Sequence, residues 1–184
     1  MTQDTIVIDI ETKNIFAEVG QDNFNALEVS LVCAYSYLQD KFFSFNEYQL
    51  VEFGEMFKNA GLVIGFSINR FDIPVLKKHF DFDIYSVPRF DILDEIELSL
   101  GQRIGLDLLA RVNIGKGKNG HGLEASELYR DGKIEELKNY CLNDVKITKE
   151  LYDLAKTQGY LLVPKKKSDE ILKAEFNFRE SLMV

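Results

Sequence analysis

The stretch TIVIDIE, Thr5 to Glu11, decides how this chain is read. Its β-branched residues suit a central strand, yet two acids interrupt the apolar run. Alternation along a strand sends residues i and i+2 to one face, so Asp9 and Glu11 point the same way. Two carboxylates side by side in a partly buried setting repel, and removing them from water is costly. A hard divalent cation, Mg²⁺ or Mn²⁺, relieves both penalties. A solvated sheet face would produce the same letters, so this pair alone decides nothing.

Working outward, residues 13–28 are polar and loop-like. VSLVCAYSYL (29–38) and residues 42–45 read as two strands joined by a tight Gln39-Asp40-Lys41 turn, completing an antiparallel meander. After Asn46 the period changes. Tyr48, Val51, Phe53, Met56 and Phe57 recur at helical spacing, which predicts a helix over 47–59 ended by Gly61. LVIGF (62–66) reads as a short buried strand, and helices are expected over 73–79, 90–100 and 105–112. NIGKGKNGHG (113–122) has no apolar period and reads as a flexible loop, followed by a short helix over 123–130. A long helix is predicted over 134–157, with Leu137, Cys141, Val145, Thr148, Tyr152 and Ala155 as one stripe and Gly159 as its stop. The tail from Tyr160 reads as two strands around a basic Lys165-Lys166-Lys167 turn, or as a strand and a helix.

A meander followed by strands alternating with helices predicts an α/β fold, a mixed five-stranded sheet flanked by helices. With no repeat, linker or low-complexity stretch, residues 1–184 read as one domain. Its motif-bearing core spans about 5–156, and 157–184 form a C-terminal extension.

Composition narrows the class. The chain has 184 residues, 46% hydrophobic and 28% charged, with 12 Gly and 3 Pro. These values exclude disordered and fibrous classes. A net charge of −8 argues against holding nucleic acid through a broad basic surface, but not against gripping a strand end locally. Cys33 and Cys141 lie in apolar segments and suggest no disulfide framework, which fits a reducing, cytoplasmic setting. Neither a signal-peptide pattern nor an apolar run long enough for a membrane span is present.

Two further constellations carry chemistry. In YCLND, Tyr140 and Asp144 stand at i and i+4 and share a helix face at the edge of the buried stripe. A helix-edge tyrosine beside a solvated aspartate is the plain alternative. In GFSINRFDIP (65–74), Asp72 precedes Ile73-Pro74 and has the form of a helix N-cap, a structural role compatible with facing a metal. Asp91, Asp94, Glu95 and Glu97 read as a solvated acidic helix start.

Together, in this order, the three motifs resemble those of the DEDD (DnaQ-like) 3′–5′ exonucleases of the ribonuclease H-like superfamily, tyrosine subclass. D-x-E is matched by Asp9 and Glu11, the second motif by Asp72, and Y-x-x-x-D by Tyr140 and Asp144. The second motif also looks like the equivalent stretch of family B DNA polymerase proofreading domains. The stretch from Gly115 to Thr148 looks like stand-alone bacterial or phage exonucleases. One departure stands out: Ser67 occupies the position usually filled by asparagine, with Asn69 two residues later.

The resemblance implies a metal-dependent enzyme that hydrolyses 3′ ends, single-stranded DNA in the first instance, to nucleoside 5′-monophosphates. Asp9, Glu11, Asp72 and Asp144 would hold two divalent cations, with Tyr140 orienting the attacking water. Substrate contacts would come from Ile10, Thr12, Phe66 and Asn69, and from Lys116, Lys118 and His121 in the glycine-rich loop. Replication or repair proteins are the implied partners. An exoribonuclease, an oligonucleotide-degrading enzyme and a non-catalytic binding module of the same fold remain open alternatives.

Overall fold

Alternation along the first strand divides the core in two. Ile6, Ile8 and Ile10 face one side, packed with Val32, Phe53 and Phe57. Val7 faces the other, with Leu31, Cys33 and Ile64. The sheet between these cores is seen in the computed structural model, which describes residues 3–117, 122–166 and 168–178.

Strands β1 (Asp4–Thr12), β2 (Val29–Ser36) and β3 (Lys41–Asn46) form the expected antiparallel meander. Strands β4 (Ala60–Gly65) and β5 (Arg89–Asp91) run parallel on the other side of β1, giving the order β3-β2-β1-β4-β5. This is the mixed five-stranded sheet the sequence predicted.

The helices are α1 (Phe16–Val19), α2 (Leu50–Lys58), α3 (Asp72–Leu76), α4 (Ile92–Leu100), α5 (Leu106–Ile114), α6 (Gly122–Arg130) and α7 (Ile134–Gln158). Helix α7 crosses the Val7 face, packed on β1 and β2 and flanked by α5 and α6. All six residues of its predicted stripe are buried, and Gly159 closes it in the left-handed region at φ 82°. A second row, Tyr140, Asp144, Ile147 and Leu151, is buried too. With helices on both sides and the sheet beneath, α7 buries more than one stripe. No helix of the described residues is long and apolar enough to cross a membrane.

Several boundaries differ from the sequence reading. Gly61 does not stop α2; it lies inside β4, and Asn59 ends the helix by bonding the Glu55 carbonyl through both backbone and side chain. Arg89–Asp91 pair with Val63–Gly65, so Phe90 and Asp91 belong to a strand rather than to the following helix. The expected helix over 73–79 stops at Leu76 and tightens into a 3₁₀ turn. The 13–28 segment contains α1 and a 3₁₀ turn at Phe24–Ala26. The tail is an antiparallel hairpin, β6 (Tyr160–Pro164) with β7 (Ile171–Glu175), the first of the two alternatives.

Candidate active site

Strand β1 outruns its parallel neighbour. Pairing with β4 ends at Val7 and Ile64, while β1 continues beside β2 to Thr12. The chain leaves β1 toward β2 and leaves β4 toward β5, so a crevice opens between the carboxyl ends of the two parallel strands. Open α/β sheets place ligands at such a switch point.

Asp9 and Glu11 project from this overhang on the Val7 side, the face that α7 covers. Asp72, at the start of α3, reaches the overhang from the β4 side. Its Oδ1 accepts the backbone N–H of Ile10 at 3.1 Å, between the two β1 acids. The N-cap reading of Asp72 is corrected: Phe71 is the residue before the helix, Asp72 is the first residue of α3, and its carboxylate binds the backbone of β1. From above, α7 brings Cys141, whose Sγ donates to the Asp9 carbonyl at 3.5 Å. Asp144 and Tyr140 lie within one turn of Cys141 on the same helix and are 2% and 6% exposed. Glu11 and Asp72 are buried as well, and Asp9 is partly so.

Carboxylates this deep must be held by a cation or by hydrogen bonds. The donor atoms of Asp9, Glu11 and Cys141 all lie within 4.8 Å of one another, a spacing that fits a metal ion. The Cys141 thiol is pushed well up, first by burial and then by its contact with Cys33 and the charges of Asp9 and Glu11.

The turn after β4 is built to deliver Asp72. Gly65 is obligatory: a Cβ there would meet Ile68 Cγ2 at 2.0 Å. Ser67 follows at φ 65°, a left-handed conformation that asparagine tolerates better than serine. Asp91, expected on a solvated face, is instead 3% exposed and binds this turn. Its carboxylate accepts the N–H groups of Ser67 (2.8 Å) and Asn69 (3.0 Å) and caps α4 through Leu93 (3.0 Å). Burial raises its pKa. Asp94 and Glu97 are likewise engaged, pairing with Arg70, and Asp94 also accepts from the Asn69 amide at 2.9 Å.

The expected substrate contacts divide. Thr12 is buried beside Glu11 and lines a pocket of 480 Å³ with Asn14, Ile15, Phe16, Leu27 and Phe71. Phe66 packs against the core on the acid face. Ile10 points its side chain into the opposite core, as strand alternation requires. Both ends of the Asn69 amide are taken, by Asp94 and by Arg89, which donates at 2.9 Å. Lys116 pairs with Glu150 on α7 at 2.7 Å. Lys118 and His121 lie outside the described residues. The sequence reading missed the pocket itself. Its only local signal was Ile15, Phe16 and Leu27, apolar residues in a segment otherwise polar.

A second network runs from the residue after Thr12 to α6. Lys13, next to Thr12, pairs with Glu47, which also accepts the Tyr129 hydroxyl of α6 at 2.7 Å. The Lys13 ammonium sits 5.6 Å from the centre of the Tyr129 ring.

A family model described as 3′–5′ exonuclease matches residues 2–157. The search of curated proteins returned no match. Among solved structures, the chain is similar to the family B DNA polymerase from the hyperthermophilic archaeon Pyrobaculum calidifontis. The TM-score is 0.65 at 17% identity, covering 85% of this chain and 25% of the polymerase. The chain thus spans about a quarter of that protein's length, and the likeness speaks for a shared ribonuclease H-like fold. On the family match, which covers most of its length, the chain belongs to the DnaQ-like 3′–5′ exonucleases.

Proposed function

We propose that the chain removes nucleotides from the 3′ ends of single-stranded DNA, releasing nucleoside 5′-monophosphates, as a tyrosine-subclass member of its family. The observation that carries this reading is the meeting of three distant segments at one end of β1. Asp72 is bonded to the backbone between Asp9 and Glu11, and α7 lays Cys141, one turn from Asp144, against Asp9.

In this reading Asp9, Glu11, Asp72 and Asp144 hold two divalent cations, Mg²⁺ or Mn²⁺. When bound, such ions stabilise the attacking and leaving oxygens of an in-line phosphoryl displacement. Tyr140 lines a cleft of 430 Å³ between α6 and α7 and orients the water that attacks. A free phenol titrates near pH ~10, so it positions the water rather than fully taking its proton. The pocket beside Glu11 and Thr12 receives the terminal base, with Phe16 and Phe71 as apolar walls. The likeness to a DNA polymerase favours DNA over RNA and a setting among replication or repair proteins, and two free cysteines suit the cytoplasm.

The test is digestion of matched 5′- and 3′-labelled strands of DNA and RNA with Mg²⁺ or Mn²⁺. Loss of the 3′ label as mononucleotide, with a ladder from the 5′-labelled strand, is the expected result. Cleavage of circular strands, or full activity in both Asp9→Ala and Asp144→Ala, would overturn it. Faster digestion of RNA would reassign the substrate.

A further inference from the structure

We propose that the acid centre also captures thiophilic ions, with the Cys141 thiol as a ligand beside Asp9 and Glu11. This rests on reading Asp9 and Glu11 as metal ligands and adds a donor the four-acid set does not contain. Among the described residues, the donors that converge within 4.8 Å are two carboxylates and this sulfur. The sulfur is fixed in place: Cys141 is fully buried, and its Sγ rests on the Asp9 carbonyl. Cys33 stands opposite Asp9 in the β1–β2 register and belongs to the same buried cluster as Cys141, so a second sulfur borders the same spot.

The two donor types sort metals. Mg²⁺ prefers oxygen and gains nothing from a thiol, whereas zinc-like ions bond thiolate strongly. With metal–ligand bonds of about 2.0–2.3 Å, donors sharing a tetrahedral ion stand roughly 3.5 Å apart, so the two carboxylates, within 4.8 Å of each other and of the sulfur, would close on the ion as it binds. As the metal–sulfur bond forms the S–H bond breaks and the proton passes to a buffer base, with no electron transferred; the ion's charge offsets the burial and neighbouring carboxylates that otherwise keep the thiol protonated. The captured ion occupies the place of the hard cation, so Zn²⁺ and Cd²⁺ compete tightly with Mg²⁺ and Mn²⁺ at this centre.

Cd²⁺ reports its own ligands, because cadmium–thiolate bonds give an ultraviolet charge-transfer band. The metal-free full chain is titrated with Cd²⁺, and separately with Mn²⁺ by paramagnetic resonance. The wild type is expected to develop the band at one equivalent. Cys141→Ser and Cys141→Ala should lack it and bind Cd²⁺ more weakly by about tenfold or more, with Mn²⁺ affinity changed less than about threefold. Cys33→Ser should keep the band, and circular dichroism checks that each variant folds. A wild type that binds Mn²⁺ but shows no band overturns this inference and leaves the hard-metal reading standing. A wild type that binds no Mn²⁺ overturns both. A band that survives in Cys141→Ser and vanishes in Cys33→Ser rejects Cys141 as the ligand; if the Cys141 variants fail to fold, the wild-type Cd²⁺ band beside Mn²⁺ binding, with the band kept in Cys33→Ser, still decides.

Discussion

The Asp72 carboxylate accepts the backbone N–H of Ile10, 62 residues earlier in the chain, at 3.1 Å. The β1–β4 pairing ends at Val7, and this bond gives a partner to a backbone donor beyond that point. Asp72 therefore acts on the fold through one oxygen, while in the proposed reading its charge serves the metal site, and the two roles can be separated. Asp72→Asn keeps an acceptor and should melt near wild type, whereas Asp72→Ala strands the buried N–H and should cost about 1–3 kcal/mol. Both should lose nuclease activity. Thermal unfolding measured beside a 3′-end digestion assay checks the split; equal melting of the two variants would refute it.

Gly65 is expected to tolerate no side chain. Because an added Cβ would meet Ile68 Cγ2 at 2.0 Å, Gly65→Ala should destabilise by about 1–3 kcal/mol through overpacking. Ile68→Ala removes the obstructing methyl at its own cavity cost. In the double variant the two penalties should fall short of their sum by at least about 0.5 kcal/mol, since the residues touch. Urea unfolding of all four forms measures this, and strict additivity would show that the clash is relieved some other way.

Asp91 ties the turn before Asp72 to the start of α4, and its burial sets a pH dependence of definite sign. Its folded pKa is raised by desolvation, so its contribution favours the folded state below the unfolded value of about 3.9. That contribution is lost as pH rises through the folded value. Asp91→Asn cannot titrate. The melting temperature of wild type relative to this variant should therefore fall as pH rises from the acid range to neutrality. Melting curves across that range provide the check, and a difference that grows instead would contradict the burial assignment.

Lys13 and Glu47 make the opposite pair. Bonding to Lys13 lowers the Glu47 pKa, so its stabilisation holds above about pH 4.3 and is lost as pH falls through the folded value. Bonding to Glu47 raises Lys13, whose contribution persists below about pH 10.4 and disappears as pH rises through its own folded value. Between those limits Glu47→Gln should lower the melting temperature by roughly 2–4 °C, about 1 kcal/mol in a chain of this size. The gap should close on acidification. Because Lys13 adjoins Thr12, the same variant should raise KM for a 3′ end more than it lowers kcat, as read from initial rates.

Local pattern was enough for much of this protein. The alternation of TIVIDIE placed Asp9 and Glu11 on one face, the 3.6-residue period placed the buried stripe of α7, and Gly159 marked its end. Motif order along the chain pointed to the exonuclease family, which the family match bears out. These features are legible because side-chain direction in a strand or helix depends only on near neighbours. Where a boundary rested on partners far away, the letters misled. Gly61 looked like a helix stop until β4 formed, and Asp91 looked solvated until the Ser67 turn folded over it. Tertiary structure alone decided that Asp72 bonds to β1, that Cys141 comes down on the Asp9 carbonyl 132 residues away, and that Phe16 and Phe71 wall one pocket. Each of these depends on where whole elements pack against the sheet, and no repeat of two or 3.6 residues encodes that.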